Sequence, residues 1–86
     1  MPEICRFFGI VIALFYNDKH QPHFHAKYGE HDASFEIETL RLLNGYLPPR
    51  VYGFVIEWAY QHQGELLDNW DRARRGLRPK KIKPLE

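Results

Sequence analysis

Residues 22–38, PHFHAKYGEHDASFEIE, decide the fold, because polar and apolar side chains alternate through them with a period of two. In a β-strand that period sends neighbouring side chains to opposite faces. His23, His25 and Lys27 then share one side, and Phe24, Ala26 and Tyr28 share the other. Gly29, Glu30, His31 and Asp32 read as a tight turn, after which Ala33, Phe35 and Ile37 point inward and Ser34, Glu36 and Glu38 outward. Paired as a hairpin, the two strands place Ser34 and Glu36 near His25 and Lys27.

Upstream, Ile10–Tyr16 (IVIALFY) has no polar residue on either face and reads as a central strand buried on both sides. Asn17–Pro22 is a polar connection of hairpin length. Downstream, Leu40–Leu43 is a short fourth strand ended by Asn44 and Gly45. After Pro48 and Pro49 the period changes: Val51, Phe54, Val55, Trp58 and Ala59 mark one stripe of a helix over Arg50–His62. Gly64 interrupts it, and a second helix over Glu65–Arg75 buries Leu66, Leu67, Trp70 and Ala73 before stopping at Gly76. The expected fold is α+β, an antiparallel three- to four-stranded meander followed by two helices packed on one face. Such a sheet leaves one set of the first strand's residues, Val11, Ala13 and Phe15 or Ile10, Ile12 and Leu14, without cover, which points to a homodimer or a partner protein.

A chain of 86 residues supports one core. We read a single α+β domain over residues 1–76 and a basic tail over 77–86, with Ile82 and Leu85 as the tail's packing residues. One cysteine, Cys5, makes neither an internal disulfide nor a thiolate zinc site, and it fits a reducing cytoplasm. The longest apolar run, Phe7–Tyr16, falls well short of the ~20 residues that span a bilayer, so no membrane association is expected. Net charge is +1, yet residues 1–71 hold five Lys/Arg against ten Asp/Glu, while residues 72–86 hold seven against one. A basic end on an acidic body suits a polyanion or an acidic protein.

The segments PEICRFFGIVI, PHFHAKYGE, IETLRLLNGYLP and EWAYQHQGELLDNWDRARRG, closing in KKIKPLE, together resemble a bacterial family known as domain of unknown function (DUF) 4160. The resemblance runs through essentially the whole chain and is carried by Pro22, His23, His25, Tyr28, Gly29, Glu57, Trp58, Trp70 and Lys81. His31 and Cys5 depart from its pattern. The family's members are typically small single-domain proteins encoded beside another small protein. The resemblance therefore implies a cognate partner encoded nearby and a toxin-antitoxin module.

Two readings of the His23, His25 and Lys27 row stay open. In the first, His25 takes a proton from a ribose 2′-hydroxyl, His23 protonates the leaving oxygen or serves as a positioning group, Lys27 with the basic tail holds the phosphate, and Tyr28 beside them is a further catalytic candidate. In the second, the row is the solvated face of an edge strand, where alternation predicts polar residues anyway. Two imidazoles two residues apart can share an ion but do not complete a zinc site, so no metal and no cofactor is assigned. Arg72, Arg74, Arg75, Arg78, Lys80, Lys81 and Lys83 are candidates for contact with RNA or with an acidic partner; without interleaved aromatics or a helix-turn-helix they do not read a DNA sequence. The functional expectation is a toxin-like component acting on RNA or translation by metal-free acid-base chemistry. The alternative is a non-enzymatic partner that binds through its apolar sheet face and basic tail.

Overall fold

A computed structural model describes residues 3–16 and 20–86. Five strands, β1 (Glu3–Phe7), β2 (Ile10–Ala13), β3 (His23–Tyr28), β4 (His31–Glu36) and β5 (Leu42–Gly45), precede two helices, α1 (Pro49–Gln61) and α2 (Gln63–Arg74). The strands form one antiparallel sheet in chain order, β1-β2-β3-β4-β5. The meander with two helices is as expected, with one strand more. Asn17, Asp18 and Lys19 of the predicted connection lie outside the described residues.

The additional strand is β1, which joins β2 through Phe8 and Gly9. Both turn residues have positive φ, +52° and +78°, as a type I′ hairpin requires. Glycine reaches that region freely, whereas phenylalanine there costs roughly 1–2 kcal/mol. The usual Asn-Gly signature is missing, so the apolar run Phe7–Tyr16 reads as continuous although it contains a turn. The β3–β4 connection is also tighter than its composition suggests: Tyr28 pairs with His31, and only Gly29 and Glu30 lie between. His31 and Asp32 are strand residues, which puts Asp32 directly opposite Lys27.

β5 begins two residues later than Leu40, because Leu40 adopts φ +62° and turns the chain. Gly45 allows β5 to close on β4, since a Cβ there would sit 2.0 Å from the Asp32 carbonyl oxygen. Between the helices the break falls at His62, which leaves helical geometry at φ −128°. The His62 ring meets the Glu65 carboxylate in the first turn of α2, and Gly64 lies inside that helix.

The helices cover one face of the sheet. Ile10, Ile12, Leu14, Phe24, Phe35 and Ile37 are fully buried there with Val55, Trp58 and Leu66. Trp58 anchors the centre, with ring centroids 5.7 Å from Phe7 and 6.1 Å from Phe24, which itself stacks on Phe35 at 5.3 Å.

The final ten residues are a strap laid along the body. The backbone N–H of Ile82 donates to the Ile4 carbonyl at 2.9 Å, so the strap covers the outer edge of β1. Buried Asn69 grips the Lys80 backbone twice, donating to its carbonyl and accepting from its N–H, both at 2.8 Å. Trp58 Nε1–H donates to the Lys83 carbonyl at 2.8 Å, and Ile82 and Leu85 join the core. Packing through Ile82 and Leu85 was legible from sequence. The backbone hydrogen bonds that fix the path were not.

A histidine-lined cleft on the uncovered sheet face

Alternation along β3 carries His23, His25 and Lys27 to one face of the sheet, opposite Phe24 and Ala26, as the pattern predicts, and at the end of the row His23 meets Trp70 of α2. Their strand, however, is the middle one of five, paired on both sides, so the row does not decorate an edge. Register places His25 between Ala13 of β2 and Ser34 of β4, with Asn44 of β5 beyond. The next rank runs Val11, Lys27, Asp32. Cross-strand partners of this kind share a face and touch.

The two imidazoles are neighbours, with ring centroids 5.1 Å apart. His23 is only 9% exposed and packs against Trp70 at 5.2 Å and His20 at 5.8 Å. Its Nδ1–H donates to the Gln21 carbonyl at 2.9 Å, because a carbonyl oxygen can only accept. That bond fixes the ring and leaves Nε2 for other partners. His25 is half-buried, with the Phe15 ring edge-on at 4.8 Å. Burial lowers its pKa below the ordinary 6.5, the nearby His23 pushes the same way, and Asp32 opposes both. His25 is therefore neutral at pH 7, with a lone pair available as a base.

Around the pair lies an open cleft of about 330 Å³, to which His20, Ser34 and Asn44 also contribute. The Asn44 carbonyl oxygen accepts the Gly45 N–H at 2.9 Å, which turns the amide's two N–H donors to other partners. On the far side of His25 a second hollow of about 450 Å³ is bounded by Val11, Ala13, Phe15, Lys27 and Asp32. Half-exposed Val11 and Phe15 belong to the apolar set left uncovered by the helices, while Ile10, Ile12 and Leu14 are the buried set. His25 lines both hollows and stands at their junction.

Tyr28 is not brought to this cleft. It lies on the helix-covered side, beside Phe8, Arg50, Val51 and Phe54. None of the seven basic residues of the C-terminal end lines the cleft either. Arg72 donates to the Arg78 carbonyl at 2.9 Å, and Lys81 donates to the Glu3 carbonyl at 2.9 Å. Arg74 and Arg75 pair with Asp71, and Lys83 with Glu86. Lys80 is held through its backbone by Asn69, and Arg78 lends its carbonyl to Arg72. Several of these cations thus tie the strap down. Glu57, carried by the family resemblance, is exposed on α1.

Sequence reasoning did not find Asn44, read as a turn residue, or the membership of His20. Asn44 would have followed from extending the β4 pairing register across one further strand. Among the described residues no cluster of three His, Cys, Asp or Glu side chains could hold a metal ion, and no helix is long and apolar enough to cross a membrane.

Fold and site together define a small α+β domain whose uncovered sheet face carries a histidine-lined cleft. Residues 9–71 match the family described as Domain of unknown function (DUF4160), and the chain belongs to that family. The match takes in β2 to β5, α1 and most of α2, hence the whole cleft, and leaves out β1, the strap and Lys81. No curated protein and no solved structure matches the chain.

Proposed function

We propose that this protein cleaves RNA by metal-free acid-base chemistry in the cytoplasm, as the toxin-like half of a two-protein module. The observation that carries the proposal is the pairing of a half-buried His25 ring with His23, 5.1 Å away, whose own ring is fixed by the Gln21 carbonyl. His25 removes the proton from the 2′-hydroxyl of a bound ribose, and the 2′ oxygen attacks the adjacent phosphorus. The bond from phosphorus to the 5′ oxygen breaks as protonated His23 gives its Nε2 proton to that oxygen. The products are a 2′,3′-cyclic phosphate and a free 5′-hydroxyl, and the proton balance closes between the two rings. The Asn44 amide and the Ser34 hydroxyl, which line the cleft, donate in this reading to the non-bridging oxygens, where charge develops. The link to a cognate small protein rests on family resemblance.

Induced expression in bacteria tests this reading. The wild-type chain is expected to arrest growth when expressed alone and to be silenced by co-expression of the neighbouring gene. His25→Ala should remove the arrest while the purified protein melts near the wild type. An equally toxic His25→Ala would remove the catalytic assignment.

A second reading is favoured by the apolar hollow at Val11, Ala13 and Phe15. Here the chain is a non-enzymatic module, and that hollow seats a protein partner. Deleting the tail does not discriminate the two, because Ile82 and Leu85 belong to the core. Val11→Gln, on the same hollow but away from the His25 ring, does discriminate them: it should abolish partner capture under this reading and leave growth arrest by the unpartnered chain intact under the first.

A further inference from the structure

At the other end of β3, on the helix-covered side, lies a cleft of about 520 Å³ bounded by Phe8, Tyr28, Arg50, Val51 and Phe54. Phe8 is the bulky residue of the β1–β2 turn held at φ +52°, and 55% of its surface is exposed. A large aromatic ring held at the tip of a hairpin, in a conformation that asparagine or glycine would adopt more readily, is a strain that persists where it has a use. The ring packs at 5.1 Å on Phe54, and the Arg50 guanidinium lies 5.9 Å over the other aromatic's centroid. Among the described residues Arg50 has no carboxylate partner. Its charge is not offset locally, and no carboxylate lines the cleft. An exposed Phe8 ring, backed by half-buried Phe54 and set beside an uncompensated guanidinium, matches the chemistry of a nucleobase with its phosphate: the base stacks on the ring and the phosphate meets the cation.

We infer that this cleft binds one base and the adjoining phosphate of single-stranded RNA, holding the strand while the histidine cleft acts elsewhere along it. The inference rests on the RNA reading above and adds a second contact. His23 and Tyr28 mark the two ends of β3, roughly 17 Å apart at about 3.3 Å per residue, and the two clefts open on opposite faces, so a strand that joins them passes round the end of the sheet. A polymer can reach both sites, whereas a dinucleotide is too short to do so.

The test uses His25→Ala protein, which binds without cutting, and a fluorescent single-stranded RNA decamer read by anisotropy. Adding Phe8→Asn, a residue that accepts positive φ, is expected to weaken binding about 5- to 150-fold. Adding Arg50→Gln on the exposed first turn of α1 should weaken it and lower the slope of log affinity against log salt by about one. With His25 intact, Phe8→Asn should cut a dinucleotide at the wild-type rate and the decamer more slowly at sub-saturating substrate. Unchanged decamer affinity in both variants overturns the inference and leaves the cleavage reading standing. Adenosine monophosphate bound as tightly as the decamer overturns the assignment to a polymer. Decamer affinity that falls as expected, in a protein that cuts no RNA, upholds this site and removes the catalytic reading.

Discussion

Replacing His25 with alanine is expected to lower RNA cleavage by about 10²- to 10⁴-fold, the usual contribution of a positioned general base. Affinity for RNA should change far less, since the imidazole is one contact among several in the cleft. The pH dependence follows from burial. His25 gives up its proton below the ordinary histidine value of 6.5, so the acid limb of the rate profile should lie below that pH. The same shift couples to stability. Between pH 6.5 and the lower folded value the unfolded chain binds more protons at this position than the folded chain. Stability therefore falls as pH drops through that window, and His25→Ala should remove its share of the slope in melts compared at pH 7 and pH 5. An acid limb above 6.5, or a variant that keeps full activity, would contradict the assignment.

The largest expected loss of stability comes from Trp58→Ala. The ring is fully buried between Phe7 and Phe24, and its Nε1–H holds the Lys83 carbonyl of the strap. Truncating a buried tryptophan costs about 3–5 kcal/mol. A chain of 86 residues has a total stability of roughly 4–13 kcal/mol, so this change removes much of it and leaves an unfolded fraction at 37 °C. Trp58→Phe separates the two contributions, because it keeps most of the packing and loses the hydrogen bond. It should cost about 1–3 kcal/mol. Urea unfolding reads both. Equal midpoints for the two variants would mean that the strap bond, and not the packing, carries the effect.

The hairpin of β3 and β4 was legible because period-two alternation survives in HFHAKY and ASFE, and it placed the histidine row on the correct face without any structure. The helices were legible for the corresponding reason, a stripe at 3.6-residue spacing from Val51 to Ala59 and again through Leu66, Trp70 and Ala73, but Leu67, expected to be buried, is exposed, and buried Asn69 takes an inward place instead. What escaped was set by backbone conformations that composition does not advertise. Phe8 in a left-handed turn concealed β1, and Leu40 in the same region delayed β5. The apparent break at Gly64 belonged to His62, whose ring reaches Glu65. Once β1 and β5 are in place, β3 becomes the centre of the sheet, and the histidine row changes from an edge decoration to the floor of a cleft.

Charge misled in a related way. The run of seven cations near the end of the chain reads as one binding surface, yet Arg72 and Lys81 are spent on backbone carbonyls and Arg74, Arg75 and Lys83 on neighbouring carboxylates. Tyr28 was carried toward the histidines by adjacency in sequence, although alternation itself sends it to the opposite face. Arg50, a lone cation between two prolines and an apolar stripe, gave no signal until the β1–β2 turn was folded against it.

In the proposed reaction the imidazoles of His23 and His25 work on the 2′-hydroxyl of RNA. A DNA oligonucleotide containing one ribonucleotide tests it most directly, incubated with the purified protein in the presence of a chelator. A single cut is expected, immediately 3′ of the ribose, leaving a 2′,3′-cyclic phosphate and a 5′-hydroxyl, with no cut in the all-deoxy strand. An intact chimera, or equal cleavage of the all-deoxy strand, would contradict it.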